Sequence, residues 1–437
     1  MITPQEYLFG LEEHGIKFGL SNIRHMLASV GNPQLKYRTV HVAGTNGKGS
    51  TVAFLSSVLR EAGFSVGRYT SPHLLDFSER IVVDDVPISE AELDELILMF
   101  LPVAEQMPEI DSLERPTYFE FGTAVAFQHF YQKRVDFAVI ETGLGGRLDS
   151  TNVLEPEVIA ITTVDIDHAQ YLGNSISQIA FEKASIIRAG APVVTAARHS
   201  DAIKVIRDKC RETGSSLFVH GVDFSHDIEP AQFPLQRMNF SSRLGELRDL
   251  AIPLAGAYQG ENAALAAMMS LILKERFPAI TDEYIRNGLA TTRWPCRLDL
   301  VRTNPLTIID GAHNPSAAAI VRDEIRAAFP DKKVTLILAV SGDKNAAGIV
   351  SVLSPIAANL IVTRYSLHRA MPAETLYEIA RQYSDNCATE PTLEAALARA
   401  DSEASGDSLI LITGSLYLAG DAIKLLSSKT STTAATA

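Results

Sequence analysis

Between residues 38 and 62 the chain changes from one hydrophobic period to another. In residues 38–43, Val40 and Val42 alternate with Thr39 and His41, the period-two pattern of a strand. In residues 50–62, Leu55, Val58, Leu59 and Ala62 recur at helical spacing, and Gly63 supplies a stop. The same exchange of periods continues downstream. It predicts a strand over 65–70, helices over about 89–105 and 120–132, strands over 136–140 and 158–164, a helix over 175–188 and a strand over 192–195. Residues 1–37 read as short helices. Strands that alternate with helices and carry near-continuous apolar runs predict an α/β fold with a mostly parallel sheet.

From residue 215 to 254 the pattern shortens to small alternating runs such as Ser216-Leu217-Phe218-Val219, which predicts a small antiparallel insertion. Gly256-Ala257-Tyr258-Gln259-Gly260-Glu261-Asn262 then opens an alanine-rich helix. Pro295, in the segment 292–297, interrupts helix and marks a hinge. A second α/β series follows, with strands over 306–309, 334–340, 360–363 and 408–412 and a helix up to about residue 328. The expected organisation is a larger domain over 1–291, a hinge over 292–297 and a smaller domain over 298–426. Residues 427–437 are small and polar and read as a disordered tail.

Composition narrows this picture in a few places. A length of 437 residues allows two or three separate cores. The net charge of −13 argues against nucleic acid and against an anionic membrane surface as partners. Three cysteines (Cys210, Cys296, Cys387) lie far apart without pairing or zinc spacing, which points to a reducing compartment. Residues 1–13 lack a signal-peptide core, and no apolar run is long enough to span a bilayer. The expectation is a monomeric cytoplasmic protein that acts on small molecules.

The chemistry starts at Gly44-Thr45-Asn46-Gly47-Lys48-Gly49-Ser50-Thr51, placed between the first strand and its helix. Strand, glycine-rich turn and helix aim backbone N–H groups at a phosphate. Lys48 adds a positive charge, and the hydroxyls of Ser50 or Thr51 could reach a magnesium ion. Two departures from the common P-loop pattern are visible: Val42 stands at the place of its first glycine, and Gly49 separates the lysine from the hydroxyl. The second strand runs into Ser71-Pro72-His73, beyond the carboxyl end of a strand, where open α/β sheets bind ligands. The strand 136–140 ends at Glu141, and the next ends in Asp165-Ile166-Asp167-His168. Acidic oxygens on one sheet edge suit magnesium, whereas His168 reads equally as a ligand or as a satisfied structural histidine. The glycine cluster at residues 143–146 does not extend to a dinucleotide fingerprint, because Leu148 occupies the third glycine's place. Lys183 falls in the middle of the apolar stripe Ile176, Ile179, Ala180 and Ile187. Such a lysine must snorkel, lose its charge, or be paired or modified.

Taken together, Gly44-Thr45-Asn46-Gly47-Lys48-Gly49-Ser50, Tyr69-Thr70-Ser71-Pro72, Thr117-Tyr118-Phe119-Glu120, the stretch 141–152, Asp167-His168, Glu182-Lys183-Ala184, Asn262, Arg297, Asp310-Gly311-Ala312-His313-Asn314-Pro315 and Thr413-Gly414-Ser415-Leu416-Tyr417 resemble the folylpolyglutamate and dihydrofolate synthases of the Mur ligase superfamily. These motifs cover nearly the whole chain. The resemblance implies an ATPase domain followed by a smaller Rossmann-like domain, with ATP and substrate between them. It implies that Thr45, Asn46, Gly47, Lys48, Gly49 and Ser50 hold the triphosphate, and that Asn262, Arg297, Asp310 and His313 contact ATP. It implies two magnesium ions among Ser50, Ser71, Glu141, His168 and Lys183, the last as a carbamate. Lys48, Lys183, His168 and Glu141 are the implied catalytic residues. Ser71, Pro72, His73, Thr117, Tyr118, Phe119, Glu120, Leu148, Asp149, Ser150 and Tyr417 are the implied substrate contacts.

The implied reaction activates a carboxylate as an acyl phosphate, releasing ADP; the amine of L-glutamate then displaces phosphate. A P-loop kinase or GTPase accounts for the first loop but gives Lys183 and the C-terminal half no task. A nucleotide-regulated binding protein makes the acidic edge purely structural. A cell-wall Mur ligase is the nearest rival, and Gly49 with Arg147-Leu148-Asp149-Ser150 speaks against it. That last segment resembles the bifunctional bacterial pattern Arg-Leu-Asp-Ala, with Ser150 in place of alanine. Both dihydropteroate and reduced folates are therefore expected as acceptors.

Overall fold

In a computed structural model of the chain, residues 3–15, 17, 19–230 and 232–434 are described. The chain divides into two compact units. The first comprises Met1–Glu229, Arg237–Ile252 and Gln259–Thr292; the second comprises Pro230–Gln236, Pro253–Tyr258 and Arg293–Ala437.

The first unit is built on an eight-stranded sheet. Its strands are β1 (Arg38–Ala43), β2 (Val66–Tyr69), β3 (Ile81–Val83), β4 (Val86–Pro87), β5 (Phe137–Glu141), β6 (Pro156–Ile161), β7 (Val193–Thr195) and β8 (Leu217–Val219), in the spatial order β4-β3-β2-β5-β1-β6-β7-β8. All pairs from β2 to β8 are parallel, while β3 and β4 add an antiparallel hairpin at one edge. No element is predicted over residues 81–87, because strands of three and two residues are too short to show a period. The run at residues 216–219 is also reassigned: it forms the eighth strand of the large sheet. The antiparallel insertion is limited to β9 (Phe224–Pro230), β10 (Gln236–Ser242) and β11 (Gly245–Ile252).

Central strands β1 and β5 are buried along nearly their whole length, as the apolar runs require. In parallel pairing, aligned residues share a face. Tyr69 aligns with Ile140, Ile140 with His41, and His41 with Ile159. The helices Pro4–Gly10, Ser21–Ser29, Glu90–Gln106 and Tyr118–Lys133 bury leucines, isoleucines and phenylalanines in one core cluster with Tyr69 and Ile140. The helices Ile176–Ala184 and Ser200–Thr213 pack with Ile159 and Ile161 in another.

Several boundaries differ from the periodicity. The phosphate-loop helix is Lys48–Glu61, starting two residues earlier than its apolar stripe, because the glycines before it complete the first turn. The helix carrying Lys183 is Ile176–Ala184 and stops four residues short of the expected end, with Ser185 as its C-cap. A helix Asp282–Thr291, capped by Thr281, lies ahead of the expected hinge.

In the second unit, β12 (Asp299–Thr303), β13 (Leu306–Ile309), β14 (Lys333–Leu338), β15 (Ala357–Val362), β16 (Cys387–Thr389) and β17 (Ser408–Thr413) form a sheet in the order β12-β13-β17-β14-β15-β16. Only β12 is antiparallel to its neighbour. The last helix, Leu416–Ala434, runs into the segment expected to be a disordered tail. Once a helix is nucleated, each added residue contributes a bond even where propensity is modest. Residues 435–437 lie outside the described residues. No described helix is long and apolar enough to cross a membrane.

Candidate active site

The loop between β1 and its helix is held by the segment that follows β6. Thr45 N–H donates to Thr163 O (2.8 Å), Asn46 N–H to Thr163 Oγ1 (3.1 Å), and Thr162 Oγ1 to Asn46 O (2.6 Å). Thr45 Oγ1 also accepts from Asp165 N–H (3.0 Å). Gly47 caps the helix at φ +86°, a region that L side chains adopt only at a cost. A Cβ there would stand 2.3 Å from Asn262 Oδ1, so glycine is what lets the loop approach that side chain. Asn262 is buried in the helix Ala257–Arg276 and donates to Gln259 Oε1 (3.0 Å). Ser50 and Thr51 are buried in the first turn of the loop helix.

Lys48 Nζ lies 3.8 Å from Glu141 Oε1 at the end of β5 and 3.4 Å from Thr45 O. The other Glu141 oxygen accepts the Ser71 N–H at 3.2 Å. The ends of β1, β2 and β5 thus bring Lys48, Glu141 and Ser71 together, as the strand ends suggest.

Lys183 reaches the same loop from the opposite direction. Its side chain is 3 % exposed, and Nζ donates to Gly44 O at 2.9 Å, so the amine does not snorkel. Burial, with Lys48 nearby, lowers its pKa to about 7; Asp167, Asp165 and Asp149 act against that shift. Gly146 makes this approach feasible, since a Cβ there would meet Glu182 O at 2.7 Å. Arg147 N–H donates to Glu182 O (2.8 Å) and its guanidinium pairs with the Glu182 carboxylate (3.0 Å). No helix opens at this glycine cluster, which serves packing rather than a dinucleotide.

His168 caps the short helix Ala169–Leu172 in the left-handed region, with φ +50°, and its Nε2 lies 3.8 Å from Asp167 Oδ2. Among the described residues, no three His, Cys, Asp or Glu side chains gather into a metal-holding group. Serine hydroxyls and a carbamate are donors outside that set.

The expected substrate contacts separate into two kinds. Thr117 and Glu120 form a capping box at the start of the helix Tyr118–Lys133, Thr117 N–H donating to Glu120 Oε2 at 2.8 Å and Glu120 N–H to Thr117 Oγ1 at 3.2 Å. These two side chains have a structural task of their own. The Phe119 ring fills the space over Gly143, where a Cβ would meet it at 2.4 Å. Asp149 is buried, and its carboxylate accepts from Leu144 N–H (2.8 Å), Thr151 N–H (3.0 Å) and Thr151 Oγ1 (2.5 Å). Burial raises its pKa against the effect of those bonds. Ser150 is buried beside it, while Leu148 is half-buried.

Sequence reasoning missed the residue behind Asp149. His41 Nε2 lies 2.8 Å from Thr151 Oγ1, completing a buried chain from His41 through Thr151 to Asp149. Burial depresses the His41 pKa to about 3, so the ring is neutral. The threonine hydroxyl gives its proton to the carboxylate, and His41 therefore donates from Nε2. The available signal was a histidine set between Val40 and Val42 in a strand that leads into the phosphate loop.

In the second unit, the buried Asp310 follows β13, and its carboxylate accepts from Leu298 N–H (2.9 Å) and Ala312 N–H (2.7 Å). Burial raises its pKa, and the nearby Arg297 opposes that shift. Arg297 is flanked by Cys296 and Leu298, both with positive φ. His313 Nδ1 lies 2.9 Å from Gly311 O, and Asn314 caps the helix Pro315–Ala328. The Tyr417 ring sits 5.6 Å from that of Tyr365, whose hydroxyl bonds to Ser341 Oγ at 2.7 Å.

Comparison with known proteins gives these arrangements a family. Residues 42–270 match the Mur ligase middle domain, and residues 296–416 match the Mur ligase glutamate ligase domain. The dihydrofolate synthase/folylpolyglutamate synthase of Bacillus subtilis is 36% identical over 427 residues, covering 97% of this chain and 98% of that one. The structure of Mycobacterium tuberculosis folylpolyglutamate synthase complexed with ADP is similar with a TM-score of 0.88 at 30% identity, covering 97% of this chain and 99% of that one. Escherichia coli FolC in complex with DHPP and ADP gives 0.85 at 28% identity, with 98% of each chain covered. The chain belongs to the dihydrofolate synthase/folylpolyglutamate synthase family of Mur ligases and is an ATP-dependent ligase.

Proposed function

We propose that the chain joins L-glutamate to 7,8-dihydropteroate and also extends the glutamate tail of reduced folates, releasing ADP and phosphate. The observation that carries this reading is the buried Lys183 amine held against the phosphate-loop carbonyl of Gly44. A phosphate loop that only hydrolyses or transfers phosphate has no need of it. The names of the Bacillus subtilis relative and of the Escherichia coli complex support the choice of acceptors.

In this reading Lys48 and the amides of Thr45, Asn46, Gly47, Gly49 and Ser50 hold the triphosphate. Asn262, Arg297, Asp310 and His313 contact the nucleotide. The acceptor lies along Ser71, Pro72, His73, Tyr118, Phe119, Leu148, Asp149 and Ser150, with Thr117 and Glu120 fixing the start of the helix beneath it. Tyr417 belongs to the substrate contacts in the second unit. The acceptor carboxylate attacks the γ-phosphorus, and the glutamate amine then attacks the acyl phosphate and expels phosphate. The chain supplies orientation and positive charge rather than a nucleophile.

The residues fit magnesium. Glu141, the Ser50 or Ser71 hydroxyl and His168 offer donors, and the near-neutral Lys183 amine can take up carbon dioxide to become a carboxylate-like fourth. Two magnesium ions, when bound, would neutralise phosphate charge at this edge. The chain is taken to be a cytoplasmic monomer, to be checked by its elution volume against standards.

The test is ADP release with each acceptor in turn. Turnover should require ATP, magnesium, L-glutamate and acceptor together. AMP with pyrophosphate as products would overturn the mechanism. Turnover with tetrahydrofolate but not dihydropteroate would reduce the activity to polyglutamylation.

A further inference from the structure

Arg80 closes the 3-10 turn Phe77–Arg80 and is only 8 % exposed. Its Nε donates to His73 Nδ1 at 2.8 Å. That nitrogen must therefore be an unprotonated acceptor. The guanidinium carbon lies 5.3 Å from the centre of the Tyr118 ring and 5.8 Å from that of Phe77. Among the described residues, its terminal nitrogens make no hydrogen bond or ion pair.

The acidic side chains of the same loop are engaged elsewhere. Asp76 accepts from Ser78 N–H at 2.8 Å. The Glu79 carboxylate accepts from the N–H groups of Leu74, Leu75 and Asp76 at 2.7, 2.8 and 2.9 Å. A buried cation whose partners are one neutral imidazole and two aromatic faces is costly to maintain unless an anion arrives.

Its position says which anion. His73 lies two residues after Ser71, whose N–H holds the Glu141 carboxylate beside Lys48. Thr70 N–H donates to Arg80 O at 3.1 Å, and the Tyr118 ring beneath Arg80 is next in sequence to Phe119, whose ring lies over Gly143. Arg80 therefore stands beside the Ser71 turn, next to the strand ends that carry Glu141 and the phosphate loop.

We propose that Arg80 is the binding site for a carboxylate of the acceptor, namely the α-carboxylate of the terminal glutamate on a folate. The inference rests on the acceptor reading above. Guanidinium and carboxylate match as a fork, which occupies the lone pairs of both oxygens. A carboxylate held that way attacks phosphorus poorly, so the site suits the group that is not activated. Dihydropteroate has a single carboxylate, the one to be phosphorylated. A folate ending in glutamate has two. Arg80 then separates the two acceptor classes: it serves tail extension and is dispensable for the first glutamylation.

The test compares wild type, Arg80→Met and Arg80→Lys with dihydropteroate, tetrahydrofolate and a tetrahydrofolate analogue whose tail is 4-aminobutyrate and so lacks the α-carboxylate. Arg80→Met should raise KM for tetrahydrofolate about 10- to 100-fold, the range expected for lost charge-assisted hydrogen bonds. The change with dihydropteroate and with the analogue should stay within about threefold. Arg80→Lys should recover part of the loss, because the charge persists without the fork. Equal losses with all three acceptors, or none with tetrahydrofolate, overturn the proposal. Calorimetric binding of tetrahydrofolate and of the analogue to the same proteins gives the comparison without turnover. If wild type turns over none of the acceptors, the functional reading fails, while the binding difference still decides the role of Arg80. A melting curve that shows Arg80→Met unfolded transfers the decision to Arg80→Lys.

Discussion

Thr151→Val is nearly isosteric and removes one hydroxyl from the centre of the chain joining His41 to Asp149. That hydroxyl is fully buried, and both its neighbours are buried as well. Its bond to a carboxylate oxygen is worth about 1.5–3 kcal/mol, and the stranded His41 N–H costs about 1–3 kcal/mol. The added methyl returns roughly 1 kcal/mol of apolar burial. The net expectation is a loss of about 2–4 kcal/mol. In a unit of this size that lowers the melting temperature by about 3–7 °C. The pH dependence supplies the sharper check. Burial raises the Asp149 pKa above its unfolded value. The neutral acid is therefore favoured in the folded state, and the stability it contributes is lost as pH rises through the folded pKa. Removing a bond to the carboxylate raises that pKa further, so the deficit of the variant is largest near neutrality and shrinks on acidification. The low pKa of His41 imposes an acid cost on both proteins. Melting followed by circular dichroism between pH 5 and 8, with KM for dihydropteroate measured alongside, tests the reasoning. A variant that melts within about 1 °C of wild type, or whose deficit grows in acid, refutes the assignment of the chain.

Gly47→Ala forces a side chain into the left-handed region at about 1–2 kcal/mol and drives its Cβ against Asn262 Oδ1. KM for ATP should rise at least about tenfold while kcat changes less, and initial rates that leave KM unmoved would show that Asn262 is not a nucleotide contact. Lys183→Met should abolish ligation without lowering the melting temperature at pH 6 in carbonate-free buffer. The Lys183 pKa of about 7 lies below its unfolded 10.5, so protonation penalises the folded wild type most below pH 7 and fades toward pH 10.5. Full activity, or a melting temperature well below wild type at pH 6, would count against that account.

What was legible in the sequence is what is local. A strand, a glycine turn and an apolar stripe lie within 25 consecutive residues, so the phosphate loop could be read without knowing the fold. Lys183 was legible as an anomaly for the same reason, since a helical stripe exposes a charge out of place. Its partner was not: Gly44 lies 139 residues earlier, and only the adjacency of β1 and β6 brings the two together. The same holds for His41 and Thr151, 110 residues apart. The capping box at Thr117 and Glu120 is visible as Thr-x-x-Glu, a pattern that gives both side chains a task at the helix start whatever else they contact. Strand order was out of reach altogether. Nothing in residues 81–87 says that they extend the sheet beyond β2.

Lys48, Lys183 and Arg80 in the first unit share a property that folding alone does not favour. Lys48 has a carboxylate at 3.8 Å, longer than a direct hydrogen bond. Lys183 has a backbone carbonyl, and Arg80 has a neutral imidazole. Each is at least largely withdrawn from water, and none has the direct hydrogen-bonded carboxylate of a buried structural ion pair. A core selected only for stability would replace such groups with apolar side chains of similar volume. They make sense if their partners arrive from outside: triphosphate for Lys48, an acceptor carboxylate for Arg80 and carbon dioxide for Lys183. Positive groups fixed before the anions bind do not have to reorganise during reaction, which is where electrostatic catalysis obtains its advantage over water. The positions at which the chain departs from a stable apolar pattern are thus the positions at which it meets its substrates.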